Sequence, residues 1–147
     1  MNTPTDLESV LSSGTPDDVL RATIAHFKCD AGTIHLLTDR MLALKAHVNI
    51  PPPIVQIVQT VPIGKGIAGL AAERREPVSL CNLQTDDSGQ ARPAAKTTGM
   101  EGSVAVPMLH DEILRGVLGI AKAQAHDWTD AEKAELLAIA ARLAARV

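Results

Sequence analysis

Apolar residues recur at helical spacing close to both ends of the chain. They predict three helices: one within residues 3–13, one that begins after Thr15, and one that begins after Thr129. Thr15 precedes Pro16 and two aspartates, and Thr129 to Glu132 has the spacing of a capping box; both features are typical of helix starts. The apolar stripe of the last helix consists of Leu136, Ile139, Ala140, Leu143 and Val147.

Between the terminal helices, two segments have the pattern of β-hairpins. Residues 32–48 hold two runs of β-branched and aliphatic residues that meet at Asp39 and Arg40, and residues 103–123 hold two more that meet near Asp111. Pro107 indicates a bulge or an edge position in its strand. Two hairpins with apolar side chains on both faces predict an antiparallel sheet covered by helices, which is an α+β fold.

A G-x-G-x-x-G sequence, at Gly64, Gly66 and Gly69, stands between the hairpins. In loops that bind dinucleotides, a strand leads directly into the first glycine of this motif. The apolar residues that precede it fall instead at helical spacing after three prolines: Ile54, Ile57, Val58 and Val61. Because that helix leaves no strand before Gly64, and the hairpins are antiparallel, we expect no dinucleotide site here.

Composition excludes several classes of function. The 147 residues suit one domain, 1–147, and a net charge of -3 is not the basic surface that a nucleic-acid partner requires. No uncharged apolar run approaches the roughly 20 residues of a membrane span, and the N-terminus lacks the features of a secretory signal. We expect a cytoplasmic protein with neither nucleic acid nor membrane as a partner.

Few residues suit redox, metal or stacking chemistry. Cys29 and Cys81 are too few for a disulfide scaffold, and the aromatic residues Phe27 and Trp128 offer little surface for stacking a purine or a tetrapyrrole. The histidines have no compact ligand spacing, so no metal site is predicted and the cofactor is left unknown. These histidines are His26, His35, His47, His110 and His126.

The order of these elements, with the phrases VPIGKGIAGLAAERREPVSLCNL, GSVAVPML, GVLGIAKA and DWTDAEKAELLAIAARLA, resembles the GAF domain family over residues 15–146. The resemblance implies a central antiparallel sheet of five to six strands with the terminal helices on one face. It implies a small-molecule pocket on the other face, closed by helices and by a lid at residues 82–101. It also implies that Gly64 and Gly66 form a tight turn, that Gly69 permits a close helix contact, and that Lys65 is solvated.

A lid is also what a long polar connection inside a compact domain usually forms. Its charges and hydroxyls could hold a small polar molecule, with Arg92 gripping a carboxylate or phosphate. The predicted ligand-binding residues are Cys81, Asp86, Asp87, Arg92, Thr97, Glu101, Ser103 and His35. The alternative is a solvated loop over an empty or water-filled cavity.

Many GAF domains are non-enzymatic sensors that dimerise through their terminal helices and act on an output domain. For this chain the resemblance implies such a sensor, working as a homodimer, alone or on a separate output protein. Alternatives are a dimerisation scaffold with a vestigial pocket and a free methionine-R-sulfoxide reductase. Those reductases carry two cysteines where this chain has Ala68 and, near the end of the lid, Lys96 or its neighbours. The chain lacks the Asn-Lys-x-Asp-Glu motif of GAF domains that bind cyclic nucleotides, and Cys81 lacks the histidine-containing neighbourhood typical of bilin attachment.

Overall fold

The structure, a computed structural model, describes residues 7–86, 88–91, 96 and 98–147. Its helices are α1 Leu7–Ser13, α2 Pro16–His26, α3 Pro52–Ile57, α4 Gly66–Arg74 and α5 Asp130–Ala144. Its strands are β1 Ala31–Thr38, β2 Met41–Val48, β3 Thr60–Pro62, β4 Val78–Leu80, β5 Ser103–His110 and β6 Ile113–Ala121. The strands form one sheet in the order β3-β2-β1-β6-β5-β4, with every neighbouring pair antiparallel. The predicted α+β fold class is confirmed.

The terminal helices α1, α2 and α5 share the larger hydrophobic core with one face of the sheet. Both predicted helix starts are confirmed, because Thr15 and Thr129 each accept a hydrogen bond in a complete capping box. The predicted stripe of α5 is wrong at its end: the helix stops at Ala144, which is buried, and Val147 is 41% exposed. None of the helices in the described ranges combines the length and apolar character needed to cross a membrane.

The two long hairpins turn where the sequence predicts. Asp39 and Arg40 have φ of 49° and 69°, and Asp111 and Glu112 have φ of 51° and 64°, as expected for tight two-residue turns. Strand β4 pairs with only the first three residues of β5, and Pro107 lies beyond them. No described strand therefore lies beside Pro107 on the β4 side, where proline could not donate a backbone hydrogen bond. The pairing of β5 with β6 has a bulge one residue after Pro107, between Met108 and Leu109.

Helices α3 and α4 lie on the other face of the sheet. The side chains of α4 share a smaller core with Leu42, Val61, Val78 and Val117. These four residues belong to β2, β3, β4 and β6, so α4 crosses the sheet between its two short edge strands.

The predicted helix across residues 54–61 is wrong in its second half. Helix α3 ends at Ile57, and Thr60–Pro62 form β3, which pairs with Met41 to Ala43 of β2. Val61 has helical spacing from Ile54, but its backbone is satisfied by this strand pairing instead. A strand therefore does lead into Gly64, and this reason for rejecting a dinucleotide loop fails.

The antiparallel sheet still separates this segment from a dinucleotide-binding fold. Strands β3 and β4, which flank α4 in sequence, lie at opposite edges of the sheet instead of side by side in parallel. Gly64 and Gly66 have φ of 91° and 67° and form the tight turn implied by the resemblance. A β-carbon on Gly69 would lie 2.5 Å from the carbonyl oxygen of Pro62, so the glycine permits the turn to fold back on α4.

Candidate functional site

A cavity of about 150 Å³ lies between the sheet and helices α3 and α4. Its floor is formed by the central strands β1, β5 and β6. Its walls come from α3, the first turn of α4, Ile50 and Val61, and the connection from β4 to β5. Aliphatic side chains dominate these walls: Ile50, Ile54, Ile57, Val58, Val61, Ile67, Leu83 and Met100.

The side chains of the floor project little into the cavity, because six small residues occupy adjoining positions on three strands. Ala31, Ala121 and Ser103 form one row across β1, β6 and β5. Thr33, Gly119 and Ala105 form the next row on the same strands. Successive side chains on one face of a strand are two residues apart, so these rows are adjacent. Helices packed over such a floor leave a space that larger side chains would fill.

His35 lies at the end of this floor. It follows Thr33 by two residues on β1, so the two side chains share one face of the strand. Its side chain is 2% exposed and its Nε2 lies 2.9 Å from the carbonyl oxygen of Val58, next to the end of α3. A carbonyl only accepts hydrogen bonds, so Nε2 must carry the proton that it donates. Burial lowers the pKa of His35, partly opposed by this hydrogen bond, so the ring is neutral near pH 7. Its Nδ1 is then an acceptor, and within the described part of the chain it has no partner.

Of the predicted ligand-binding residues, the structure brings His35 and Ser103 together on the cavity floor. The described lining does not include Cys81, Asp86 or Glu101. Cys81 is exposed, Asp86 accepts hydrogen bonds from Ser88, and Glu101 lies within 3.4 Å of the amide of Asn82. Asp87, Arg92 and Thr97 lie outside the described residues. A role in ligand binding stays a prediction for all eight.

The connection across residues 82–101 is pinned by its own hydrogen bonds. The amide of Gln84 donates to the carbonyl oxygens of Lys96 and Met100, and the ammonium of Lys96 donates to that of Asp86. The backbone N–H of Leu83 donates to the carbonyl oxygen of Glu101. Leu83, Ala91, Thr98 and Met100 of this connection lie in the cavity wall. A lid at residues 82–101 stays a prediction.

The thiols and acidic groups offer little redox or metal chemistry at this site. Burial raises the pKa of the Cys29 thiol to about 12, and Cys29 packs against the core on the helix side of the sheet. No group of three metal-binding side chains occurs in the ranges that the structure describes. Lys65, the charged residue in the described lining, is exposed.

Comparison with known sequences decides the family, because the family model of the GAF domain matches residues 14–147. The chain belongs to the GAF domain family. Its α+β sheet, with terminal helices on one face, is the arrangement that the resemblance implied. A search of curated protein sequences gave no match.

Solved GAF structures share this fold at low sequence identity. The GAF domain of a phosphoenolpyruvate-protein phosphotransferase from Acinetobacter is 20% identical with a TM-score of 0.79, over 99% of this chain and 93% of that one. The free methionine-R-sulfoxide reductase from Neisseria meningitidis, in complex with its substrate, is 17% identical with a TM-score of 0.78, over 97% and 84%. A protein named as a GAF sensor from Burkholderia vietnamiensis is 16% identical with a TM-score of 0.69, over 99% and 100%. At these identities the likeness concerns the fold, which sensors and enzymes share.

Proposed function

We propose that this GAF domain is a non-enzymatic sensor that binds a small molecule in the cavity and signals through its terminal helices. The observation that carries the proposal is the floor of six small residues under a cavity of about 150 Å³. A preformed and mainly apolar pocket with a few convergent polar groups is the usual form of a small-molecule site. The predicted lid supplies only part of the wall, so the aliphatic lining, more than the polar connection, would determine the ligand.

The strands that form the floor also support the terminal helices. Ile34, Val104 and Ile120 lie in β1, β5 and β6, and they belong to the core that these strands share with α2 and α5. An occupant on one face is therefore a single sheet layer away from the helices on the other. We propose that occupancy changes how α1 and α5 meet a second copy of the chain or a separate output protein.

Gly119 provides a direct test of the site. A β-carbon there would meet its nearest neighbours, Thr33, Val104 and Ala105, at 3.6–3.9 Å, which is ordinary van der Waals contact. We expect Gly119→Ala to fold normally, and Gly119→Val to fold with its side chain projecting into the cavity. A screen of small uncharged compounds by thermal shift should find ligands that stabilise the wild type by about 2.7 kcal/mol at a hundredfold excess over Kd. These ligands should leave Gly119→Val unshifted. Equal shifts in both proteins would contradict the proposed site.

The scaffold alternative makes a different prediction for the same proteins. A scaffold with a vestigial pocket would dimerise whether or not the cavity is filled, and no compound would shift either protein. A solution mass equal to one chain at micromolar concentration, with and without a ligand, would contradict dimerisation in both hypotheses.

The reductase alternative arises from the shared fold with enzymes that act on free methionine sulfoxide. Reduction of a sulfoxide needs a reactive thiolate beside the substrate. Ala68 lines the cavity, whereas neither Cys29 nor Cys81 belongs to its described lining. We expect no thiol-dependent turnover of free methionine-R-sulfoxide. Turnover that disappears in Cys81→Ser would assign the chain to the enzymes instead.

A further inference from the structure

The β6–α5 connection, residues 122–129, joins the cavity wall to the last helix. Its first residues pair with the end of the connection from β4 to β5, which forms part of that wall. The N–H of Glu101 donates to the carbonyl oxygen of Lys122 at 2.7 Å, and the N–H of Lys122 donates to that of Gly102 at 2.7 Å. The N–H of Gly102 donates in turn to the carbonyl oxygen of Gln124 at 2.9 Å. These backbone hydrogen bonds tie the two connections together.

Gly102 and His126 lie in direct contact where the two connections meet. A β-carbon on Gly102 would stand 2.7 Å from the β-carbon of His126 and 2.9 Å from its backbone nitrogen. That nitrogen donates to the carbonyl oxygen of Cys81 at 2.9 Å, directly after β4. Gly102 is buried, and the next residue, Ser103, belongs to the cavity floor. Because closely packed interiors transmit displacement, a shift of the backbone at Gly102 is passed on to His126.

The side chain of His126 reaches the capping box that begins α5. Its Nε2 lies 3.0 Å from both carboxylate oxygens of Glu132, and Nε2 carries the proton because a carboxylate only accepts hydrogen bonds. Glu132 also accepts from the N–H of Thr129, whose hydroxyl accepts from the N–H of Glu132. Burial alone would raise the pKa of Glu132, but its hydrogen bonds to Thr129 and His126 lower it below the ordinary value. The carboxylate is therefore held by both residues.

We propose that the β6–α5 connection relays movement of the cavity wall to the first turn of α5, with His126 as the positioning residue. This inference rests on the proposed function, and it supplies a route besides the sheet by which an occupant affects the terminal helices. One capping interaction typically changes the opening equilibrium of a helix start by about fivefold. The first turn can therefore respond to a displacement that leaves the rest of α5 folded.

Amide hydrogen exchange in the first turn of α5 tests the relay in the full chain without a ligand. The N–H groups of Glu132 and Lys133 report on this turn, because they donate to the side chain and the carbonyl oxygen of Thr129. Met100→Ala shortens a half-buried side chain of the cavity wall, two residues before Gly102. We expect it to speed the exchange of both amides by roughly threefold to fivefold relative to the amides of β1, which report global unfolding.

Val58→Ala is the matched control. Val58 is also a half-buried residue of the cavity wall, but it lies next to α3, and its carbonyl oxygen accepts from His35 instead of from the β6–α5 connection. This variant should leave the exchange of Glu132 and Lys133 unchanged relative to β1. Unchanged exchange in Met100→Ala, or an equal response to both substitutions, would overturn the relay.

Two replacements of His126 test its role as a positioning residue. In His126→Ala the bond to Glu132 is lost, so exchange in the first turn of α5 should already be roughly fivefold faster, and adding Met100→Ala should change it little further. In His126→Gln the amide can still donate to Glu132, so the response to Met100→Ala should return. A full response to Met100→Ala in His126→Ala would overturn the role of His126. If His126→Ala does not fold, the comparison of Met100→Ala with Val58→Ala still decides the relay.

The relay and the sensor can fail separately. Compounds that stabilise the wild type but not Gly119→Val would support the cavity site even where Met100→Ala leaves α5 unchanged, and occupancy would then reach the helices through the sheet alone. A first turn that responds to Met100→Ala, in a chain for which the compound screen finds no ligand, would overturn the sensor and leave the relay as a property of the fold.

Discussion

The carbonyl oxygen of His35 fills the space that a β-carbon on Gly116 would need. Gly116 lies opposite Leu36 where β1 and β6 pair, so a side chain there would collide with backbone that cannot move aside. The absence of a side chain at Gly116 thereby permits the close approach of β1 that places His35 beside the cavity.

We expect Gly116→Ala to lower the free energy of unfolding by about 2–4 kcal/mol, because the overlap must displace β1. Gly119→Ala is the matched control in the same strand, since its β-carbon meets nothing closer than 3.6 Å. That control should be neutral or should gain about 0.5–1 kcal/mol from the stiffer unfolded chain. Urea denaturation of both variants measures the difference, and similar stabilities would show that β1 yields easily.

His35 should make the stability depend on pH. Burial lowers its pKa in the folded chain, so between that pKa and the ordinary value of about 6.5 the unfolded chain binds more protons. The stabilisation is therefore complete above about pH 6.5 and is lost as the pH falls through the lower folded pKa. Denaturation at pH 7.5 and 5.5 should show the wild type losing more stability than His35→Gln, whose amide can still donate to Val58. A variant as sensitive to acid as the wild type would mean that other groups cause the loss.

Some features of the fold could be predicted because their causes are local in the sequence. The hydroxyls of Thr15 and Thr129 accept hydrogen bonds from the backbone N–H groups three residues later, which caps each helix. The spacing of residues in the sequence is enough to predict these caps. The hairpin turns at Asp39 and Asp111 likewise depend on a few adjacent residues. These elements, placed in order, were enough to predict the fold class.

Other features depend on contacts between distant segments. Strand β3 has three residues and forms only because β2 lies beside it, so the spacing of Val61 from Ile54 indicated a helix instead. The cavity floor could not be predicted, because it depends on the registers of β1, β5 and β6. These registers place Ala31, Ser103 and Gly119 beside other small residues. The one available signal was a small residue at alternate positions in all three strands, which by itself is weak. The sequence predicts His35 as a site residue, but its hydrogen bond to Val58 depends on the position of α3 over the sheet.

The two cysteines should differ sharply in reactivity. Cys81 is exposed, whereas burial raises the pKa of Cys29 to about 12. The thiolate, which is the reactive form, is then roughly a thousandfold rarer at pH 8 for Cys29 than for a thiol of pKa 9.0. A disulfide reagent should label Cys81 rapidly in the folded protein and the partly buried Cys29 far more slowly until the chain unfolds, with mass spectrometry to locate the label. Folded Cys81→Ser should react slowly; labelling of this variant as fast as that of Cys81 in the wild type would contradict the raised pKa of Cys29.

Arg146 attaches the first helix of the chain to the last. Its guanidinium donates to the carbonyl oxygens of Val10, Leu11 and Gly14 at 3.2, 3.1 and 2.5 Å, at the end of α1. The carbonyl oxygen of Val10 already accepts from the backbone N–H of Gly14. Last-turn carbonyls such as that of Leu11 have no partner within their own helix, so the bonds to Leu11 and Gly14 satisfy groups that would otherwise need water. Arg146→Ala should therefore speed amide hydrogen exchange in α1 by roughly fivefold to tenfold, as expected for about 1–1.5 kcal/mol of hydrogen bonding.

Arg142, in the last turn of α5, provides the control for this prediction. It pairs with Glu8 at 2.8 Å, but both side chains are largely exposed, and such pairs contribute roughly 0–1 kcal/mol. Arg142→Ala should change exchange in α1 less than Arg146→Ala does. The reverse order would mean that the ion pair, not the bonds to the helix end, holds α1 against α5. If the terminal helices transmit ligand occupancy, Arg146→Ala should also weaken the response of α1 exchange to a bound ligand while leaving the affinity of the cavity unchanged.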